Sequence, residues 1–158
     1  MDEVDLLAVI DQSLEVARPL ADARGHALHA HLPPGPLLVR GDPTRLAQVF
    51  CNLLDNACKY TPKGGEIRLT VLVGVDTVSV SVADNGIGIS ANDLSRVFEM
   101  FVQETRAHQL DKAGLGIGLA VVRSLVTAHG GTIVVHSAGE HQGSEFVVTL
   151  PWRPPITD

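Results

Sequence analysis

No run of apolar residues in this sequence approaches the roughly 20 that a membrane helix requires, and the amino terminus has no basic segment leading into an apolar stretch. The expectation is a soluble, cytoplasmic chain that does not itself insert into a membrane. Cationic clusters are also missing. Twelve Lys and Arg against 18 Asp and Glu give a formal charge of −6, with no basic run to hold nucleic acid. Cysteine is scarce: Cys51 and Cys58 fall two turns apart on one expected helix, about 10 Å, which a disulfide cannot span. Both read as reduced thiols in or near a core. No internal repeat or low-complexity tract breaks the chain.

What is present suffices for one domain, since 158 residues at 45% hydrophobic content can bury a single medium-sized core. Val4, Leu7, Ile10 and Leu14 recur at helical spacing, and Gly25 is placed to stop that helix. Ala27 to Leu32 and Leu37 to Arg40 read as short strands on either side of Pro33, Pro34 and Gly35. Asp42 is a helix cap with Pro43 at the first helical position. After Gly64 and Gly65, Glu66 to Val73 and Val78 to Ala83 form a β-hairpin pattern around Asp76 and Thr77. A low-pattern stretch from Ser90 to Ala113 precedes a helix from about Gly116 to His129, and two closing strands, Thr132 to Ser137 and Glu145 to Leu150. Helices interspersed with hairpins predict an α/β sandwich. The residues after Pro151 read as a frayed tail.

Three segments carry chemistry. On the helix from Pro43, the stripe Leu46, Val49, Phe50, Leu53 and Ala57 faces a core, and Asn52, Asn56 and Lys59 share the face beside it. Two amides and an ammonium make a polar rim; alone, it would read as a solvated flank. Asp84-Asn85-Gly86-Ile87-Gly88-Ile89 follows an apolar strand, so glycines let backbone approach a ligand while the strand fixes a carboxylate able to accept from an exocyclic amine. Alone, it would read as a tight turn. Gly114-Leu115-Gly116-Ile117-Gly118-Leu119 opens a helix whose bare N–H groups suit a polyphosphate, but it has neither the Gly-Lys-Ser/Thr of a Walker loop nor a Rossmann glycine spacing.

In this order the segments resemble the ATP-binding catalytic domain of sensor histidine kinases, within the wider gyrase, Hsp90, histidine kinase and MutL superfamily. Asn52 to Thr61 looks like the asparagine box, Asp84 to Ile89 the first glycine box, Phe98 to Phe101 the phenylalanine box, and Gly114 to Leu119 the second glycine box. The resemblance covers nearly the whole chain, 1–158, and implies a Bergerat ATP-binding fold, a two-layer α/β sandwich with a mixed sheet and a lid over the nucleotide. It implies ATP and Mg²⁺ as cofactors. Asp84 would read the adenine amine and Asn56 would help hold the metal, while Asn52, Lys59 and Tyr60 would line phosphates and sugar. Gly86, Gly88 and Ile89 would border the base; Gly114, Leu115, Gly116, Gly118 and Leu119 would admit phosphates to the helix end. Ser144 sits where the superfamily often has a hydroxyl near adenine. Phe98 and Phe101 would anchor the lid, from which Arg106 and His108 would reach the γ-phosphate.

The same resemblance separates transfer from hydrolysis. Where the gyrase and Hsp90 branches carry a water-activating glutamate one turn before the metal-binding asparagine, this chain has Asn52, and an amide cannot act as a general base. Slow hydrolysis and phosphoryl transfer to a histidine are expected. None of the seven histidines has the acidic neighbour and following proline of the family's phosphoacceptor. The acceptor is therefore expected on a dimerisation and phosphoacceptor domain preceding Val4 in a longer two-component kinase, with a response regulator downstream. His26, His29 and His31 lack the companions of a zinc site and read as solvated. The alternatives are a conformational ATPase and a nucleotide-sensing or docking module without transfer.

Overall fold

The computed structural model describes residues 1–94, 97, 98 and 117–153. Phe101, Arg106, His108, Gly114, Leu115 and Gly116, singled out above, lie outside them, as do the last five residues of the expected tail. The described elements are β1 (Asp2–Asp5), α1 (Leu6–Ala23), β2 (Ala27–His31), β3 (Leu38–Gly41), α2 (Pro43–Tyr60), β4 (Glu66–Val73), β5 (Thr77–Asp84), α3 (Ala91–Leu94), α4 (Ile117–Ala128), β6 (Thr132–His136) and β7 (Ser144–Pro151).

Five strands form one mixed sheet in the order β2-β4-β5-β7-β6, with β2 parallel to β4 and the remaining pairs antiparallel. Side chains alternate across it. Ile67, Leu69 and Val71 of β4, Val78, Val80 and Val82 of β5, and Phe146, Val148 and Leu150 of β7 are buried against the helices. α1 and α2 pack on each other, and α2 packs on α4 and β5. Phe50, Leu46, Leu53, Leu54, Leu6, Ile10 and Leu119 fill the space between the layers. This is the two-layer sandwich expected from the sequence.

Three expectations change. Val4 belongs to a strand and not to the first helix: it pairs with Val39 in a separate β1–β3 ribbon. The helix starts at Leu6 because the Asp5 carboxylate accepts from the Leu7 N–H at 3.1 Å and, across the chain, from the Leu37 N–H at 3.1 Å. The strands flanking Pro33-Pro34-Gly35 do not pair with each other. The first joins β4 in the main sheet and the second joins β1, so the proline turn switches the chain between sheets. Within the low-pattern stretch, one short helical turn, α3, follows Ser90, whose hydroxyl accepts from the Asp93 N–H at 3.3 Å.

α2 starts as its sequence dictates. The Asp42 carboxylate accepts from the Thr44 and Arg45 N–H groups at 2.9 and 3.1 Å, and Pro43 occupies the first turn, where its missing N–H loses nothing. Its C-terminal end carries the asparagine segment to the end of the sheet where β5 stops at Asp84.

Candidate functional site

Asp84 is the last residue of β5, and the chain must turn sharply there to pass beneath the end of α2. Gly86 allows this, because a Cβ there would overlap the Tyr60 carbonyl. That carbonyl instead accepts the Ile87 N–H at 3.0 Å, tying the glycine segment to α2. Gly88 has φ +72°, in the region that favours glycine, and a Cβ there would overlap the Gly139 carbonyl of the β6–β7 turn. The Ile89 N–H donates to the Ser137 hydroxyl at 3.0 Å. The Asp84–Ile89 loop is thus clamped between α2 and the β6–β7 turn.

The clamp gathers Asn56, Ala57, Tyr60, Asp84, Ile87, Gly88, Ile89, Ser144 and Phe146 around one narrow slot of about 10 Å³. Room for about one water is all that volume gives, so a flat base entering it must push the lining apart. Asp84 is the ionisable centre. One carboxylate oxygen accepts the Gly86 N–H at 2.8 Å and the other accepts the Ser144 hydroxyl at 2.9 Å. Burial raises its pKa above the ordinary carboxylate value, against the lowering pull of the Gly86 and Ser144 hydrogen bonds and of the nearby His26. An open cavity of about 580 Å³ lies on the other side of the Asp84–Ser144 pair, bounded by Leu94, Val135 and Gln142.

The polar groups beside Asp84 are incompletely paired. The Asn56 amide nitrogen and the Tyr60 hydroxyl are buried and have no hydrogen-bond partner among the described residues, as do the Thr61 hydroxyl and His26 Nδ1. A buried, unpaired polar group costs about 1–3 kcal/mol, and at the wall of a slot it marks where a polar ligand fits. Burial also pushes the Tyr60 phenol well above its usual value, reinforced by the Asp55 charge, so it stays a neutral donor.

The slot brings together Asn56, Tyr60, Asp84, Gly88, Ile89 and Ser144 of the residues singled out from the sequence. Others stand off it. Asn52 is half-buried one turn earlier on α2, and Lys59 is exposed and paired with Asp55 at 2.9 Å. Gly86 acts through backbone. Gly118 has open space beside it at the start of α4, whereas the Leu119 side chain is fully buried in the core. Phe98 lies half-buried, its ring edge-on to Phe146 at 6.1 Å and beneath the Arg123 guanidinium at 5.9 Å. Sequence reasoning missed Ser137, which holds the first glycine segment, and misread His26. That histidine is buried, not solvated: its Nε2 lies 2.8 Å from the Thr61 carbonyl and 3.1 Å from that of Pro62, where it donates. The signal was its place between helix-ending Gly25 and β2, a corner where the chain turns inward. His29 and His31 are exposed on β2.

A mixed five-stranded sheet under helices, with an aspartate at a strand end facing an asparagine-bearing helix, defines a nucleotide-binding sandwich. The chain belongs to the family described as histidine kinase-, DNA gyrase B- and HSP90-like ATPase, which matches residues 41–154, and within it to the catalytic ATP-binding domain of sensor histidine kinases. It is 36% identical over 157 residues to the signal transduction histidine-protein kinase/phosphatase MprB of Mycobacterium avium, covering 97% of this chain and 29% of that protein. It is 36% identical over 133 residues to the histidine protein kinase DivJ of Caulobacter vibrioides, covering 84% of this chain and 22% of that protein. The chain thus spans less than a third of either relative. Among solved structures, a mycobacterial sensor histidine kinase MprB superposes with a TM-score of 0.80 at 30% identity, covering 98% of this chain and 99% of that one. Full-length ShkA in complex with AMPPNP superposes with a TM-score of 0.79 at 31% identity, covering 99% of this chain and 32% of that one.

Proposed function

We propose that this chain binds Mg·ATP in the Asp84 slot and presents the γ-phosphate to a histidine on a separate dimerisation and phosphoacceptor domain, within a two-component signalling kinase that serves a response regulator. The observation that carries this is the juxtaposition in one slot of an anchored carboxylate, Asp84, with a buried asparagine, Asn56, whose amide nitrogen has no partner among the described residues. Asp84 keeps lone pairs for the adenine amine while Gly86 and Ser144 fix its plane. Ser144, by donating to Asp84, is free to turn its own oxygen toward a ring edge.

Asn56 suits Mg²⁺ as a single neutral oxygen ligand, because this ion keeps several waters and takes most remaining ligands from phosphate. Among the described residues no cluster of three His, Cys, Asp or Glu could cage a metal, which fits a metal brought in with its nucleotide. When bound, the ion neutralises phosphate charge. Tyr60 donates its neutral hydroxyl toward the sugar-phosphate side, and Lys59 is held there by a surface ion pair weak enough to yield to a phosphate. Asn52, Gly114, Leu115, Gly116, Gly118, Leu119 and, from the lid, Arg106 complete the phosphate surroundings in this reading. With an amide at Asn52 nothing there deprotonates water, so alignment serves transfer and not hydrolysis.

Calorimetric titration of a non-hydrolysable ATP analogue, with and without Mg²⁺, tests the pocket. Saturable, Mg²⁺-sensitive binding that Asp84→Asn removes is expected; no binding by folded protein overturns the reading. Adding a separately prepared phosphoacceptor domain and labelled ATP tests transfer. Label is expected on that domain's histidine and not on this chain. Phosphate release as fast as labelling would make the chain a hydrolase instead.

A further inference from the structure

Far from the slot, at the first residue after α4, one buried side chain joins two helices. His129 follows the last residue of α4 and is 7% exposed. Its Nδ1 donates to the Leu125 carbonyl at 2.7 Å, within its own helix end. Its Nε2 accepts the backbone N–H of Asp42, the cap of α2, at 3.1 Å. An N–H can only donate, so these two contacts fix the ring as the neutral Nδ1–H tautomer. The contact is close-fitted: a Cβ on Gly41 would stand 2.8 Å from the His129 ring and 2.8 Å from Leu46.

The N-terminal end of α2 therefore meets the C-terminal end of α4. Since the two helices also pack along their lengths, they run antiparallel, and their other ends point the opposite way. Those other ends carry Asn56 and Tyr60 on α2 and Gly118 on α4. At 1.5 Å per residue, His129 stands about 20 Å from Asn56 and about 16 Å from Gly118 along the helices. A change of tilt at the joined ends is carried to the free ends by two rigid rods.

We propose that His129 is a positioning residue of the nucleotide cleft: its neutral ring pins the distal ends of α2 and α4 together and so sets the separation of their cleft ends. The inference rests on the Asp84 slot being the nucleotide site.

The test titrates mant-ATP with MgCl₂ into the whole chain at pH 7.5, as wild type, His129→Gln and His129→Leu, and follows amide exchange in the same proteins. Gln offers Asp42 a carbonyl oxygen in place of the ring nitrogen. His129→Gln is expected within about threefold of wild type, and His129→Leu about tenfold weaker with faster exchange at both ends of α2. Wild-type affinity in folded His129→Leu overturns the proposal, as does equal weakening in His129→Gln and His129→Leu. If His129→Leu does not fold, His129→Asn, whose shorter side chain falls short of Asp42, takes its place under the same criteria. If wild type binds nothing, the nucleotide reading has failed and amide exchange decides the joint: faster exchange at both ends of α2 in His129→Leu but not in His129→Gln supports it, and equal exchange in all three overturns it.

Discussion

The two ends of α2 are built on opposite terms. At the Asp42 end every exposed backbone donor named here has a partner: Thr44 and Arg45 give to the Asp42 carboxylate, and Asp42 itself gives to His129. At the Tyr60 end the Asn56 amide nitrogen, the Tyr60 hydroxyl and the Thr61 hydroxyl are buried without partners among the described residues. One end is finished by folding. The other holds buried polar groups that no described residue pairs, where a ligand can supply the missing partners. Apart from the His129 joint, substitutions at the two ends should therefore move different observables.

The largest effect expected is on binding. Asp84→Asn should weaken the ATP analogue at least about 100-fold by calorimetry, because it turns an acceptor toward the adenine amine into a donor, and discrimination of that kind is large. Its melting temperature should stay level or rise. Asp84 has a raised pKa in the folded chain, so its ionised form opposes folding at neutral pH, and a neutral isostere removes that penalty. A melting temperature many degrees lower would place Asp84 among structural groups and erase the contrast.

Next comes pH. Because burial raises the Asp84 pKa, its carboxylate takes up a proton at a higher pH than a solvated aspartate does. In the proposed reading the charged form is the one that accepts from adenine. Affinity should therefore fall as pH drops through that raised value, while the contribution of this group to folding stability moves the other way and is greatest at low pH. Titrations from pH 8 to 4.5 check both directions.

The opposite end gives an effect on stability first. Asp42→Ala removes a cap and should cost about 1–2 kcal/mol by chemical denaturation. Tyr60→Phe deletes an unpaired buried hydroxyl and should leave stability unchanged or raise it by up to about 1 kcal/mol. If Tyr60→Phe destabilises as Asp42→Ala does, the two ends are not distinct. The smallest change belongs to Asp55→Ala, which frees Lys59 from an i, i+4 surface pair; about 0.3–0.5 kcal/mol is expected.

Much of this was legible in the residues. The Asp42-Pro43 start of α2, its apolar stripe and the β4–β5 pattern are local, and local rules located them. The glycines at 86 and 88 announced a backbone that passes close to something, and the something proved to be backbone: the Tyr60 and Gly139 carbonyls. What escaped was set by partners distant in sequence. Val4 has helical spacing to Leu7, but Asp5 hydrogen-bonds across 32 residues to Leu37 and makes it a strand residue. His26 looked like one of three surface histidines until the Thr61 carbonyl, 35 residues on, drew it inside. The Asp55 partner of Lys59 lay four residues away and was readable.

The β1–β3 ribbon has a mechanical consequence. Four residue pairs lock Asp2–Asp5 to Leu38–Gly41, and only Asp42 separates Gly41 from the first residue of α2. A tug along residues 2–5 is therefore a shear load on that ladder, delivered almost directly to the base of the helix that bears Asn56, while the same four residues pull on α1 through the Asp5 cap. The ribbon is a forked handle: whatever moves it moves the helix beside the slot and the helix packed behind it in one stroke.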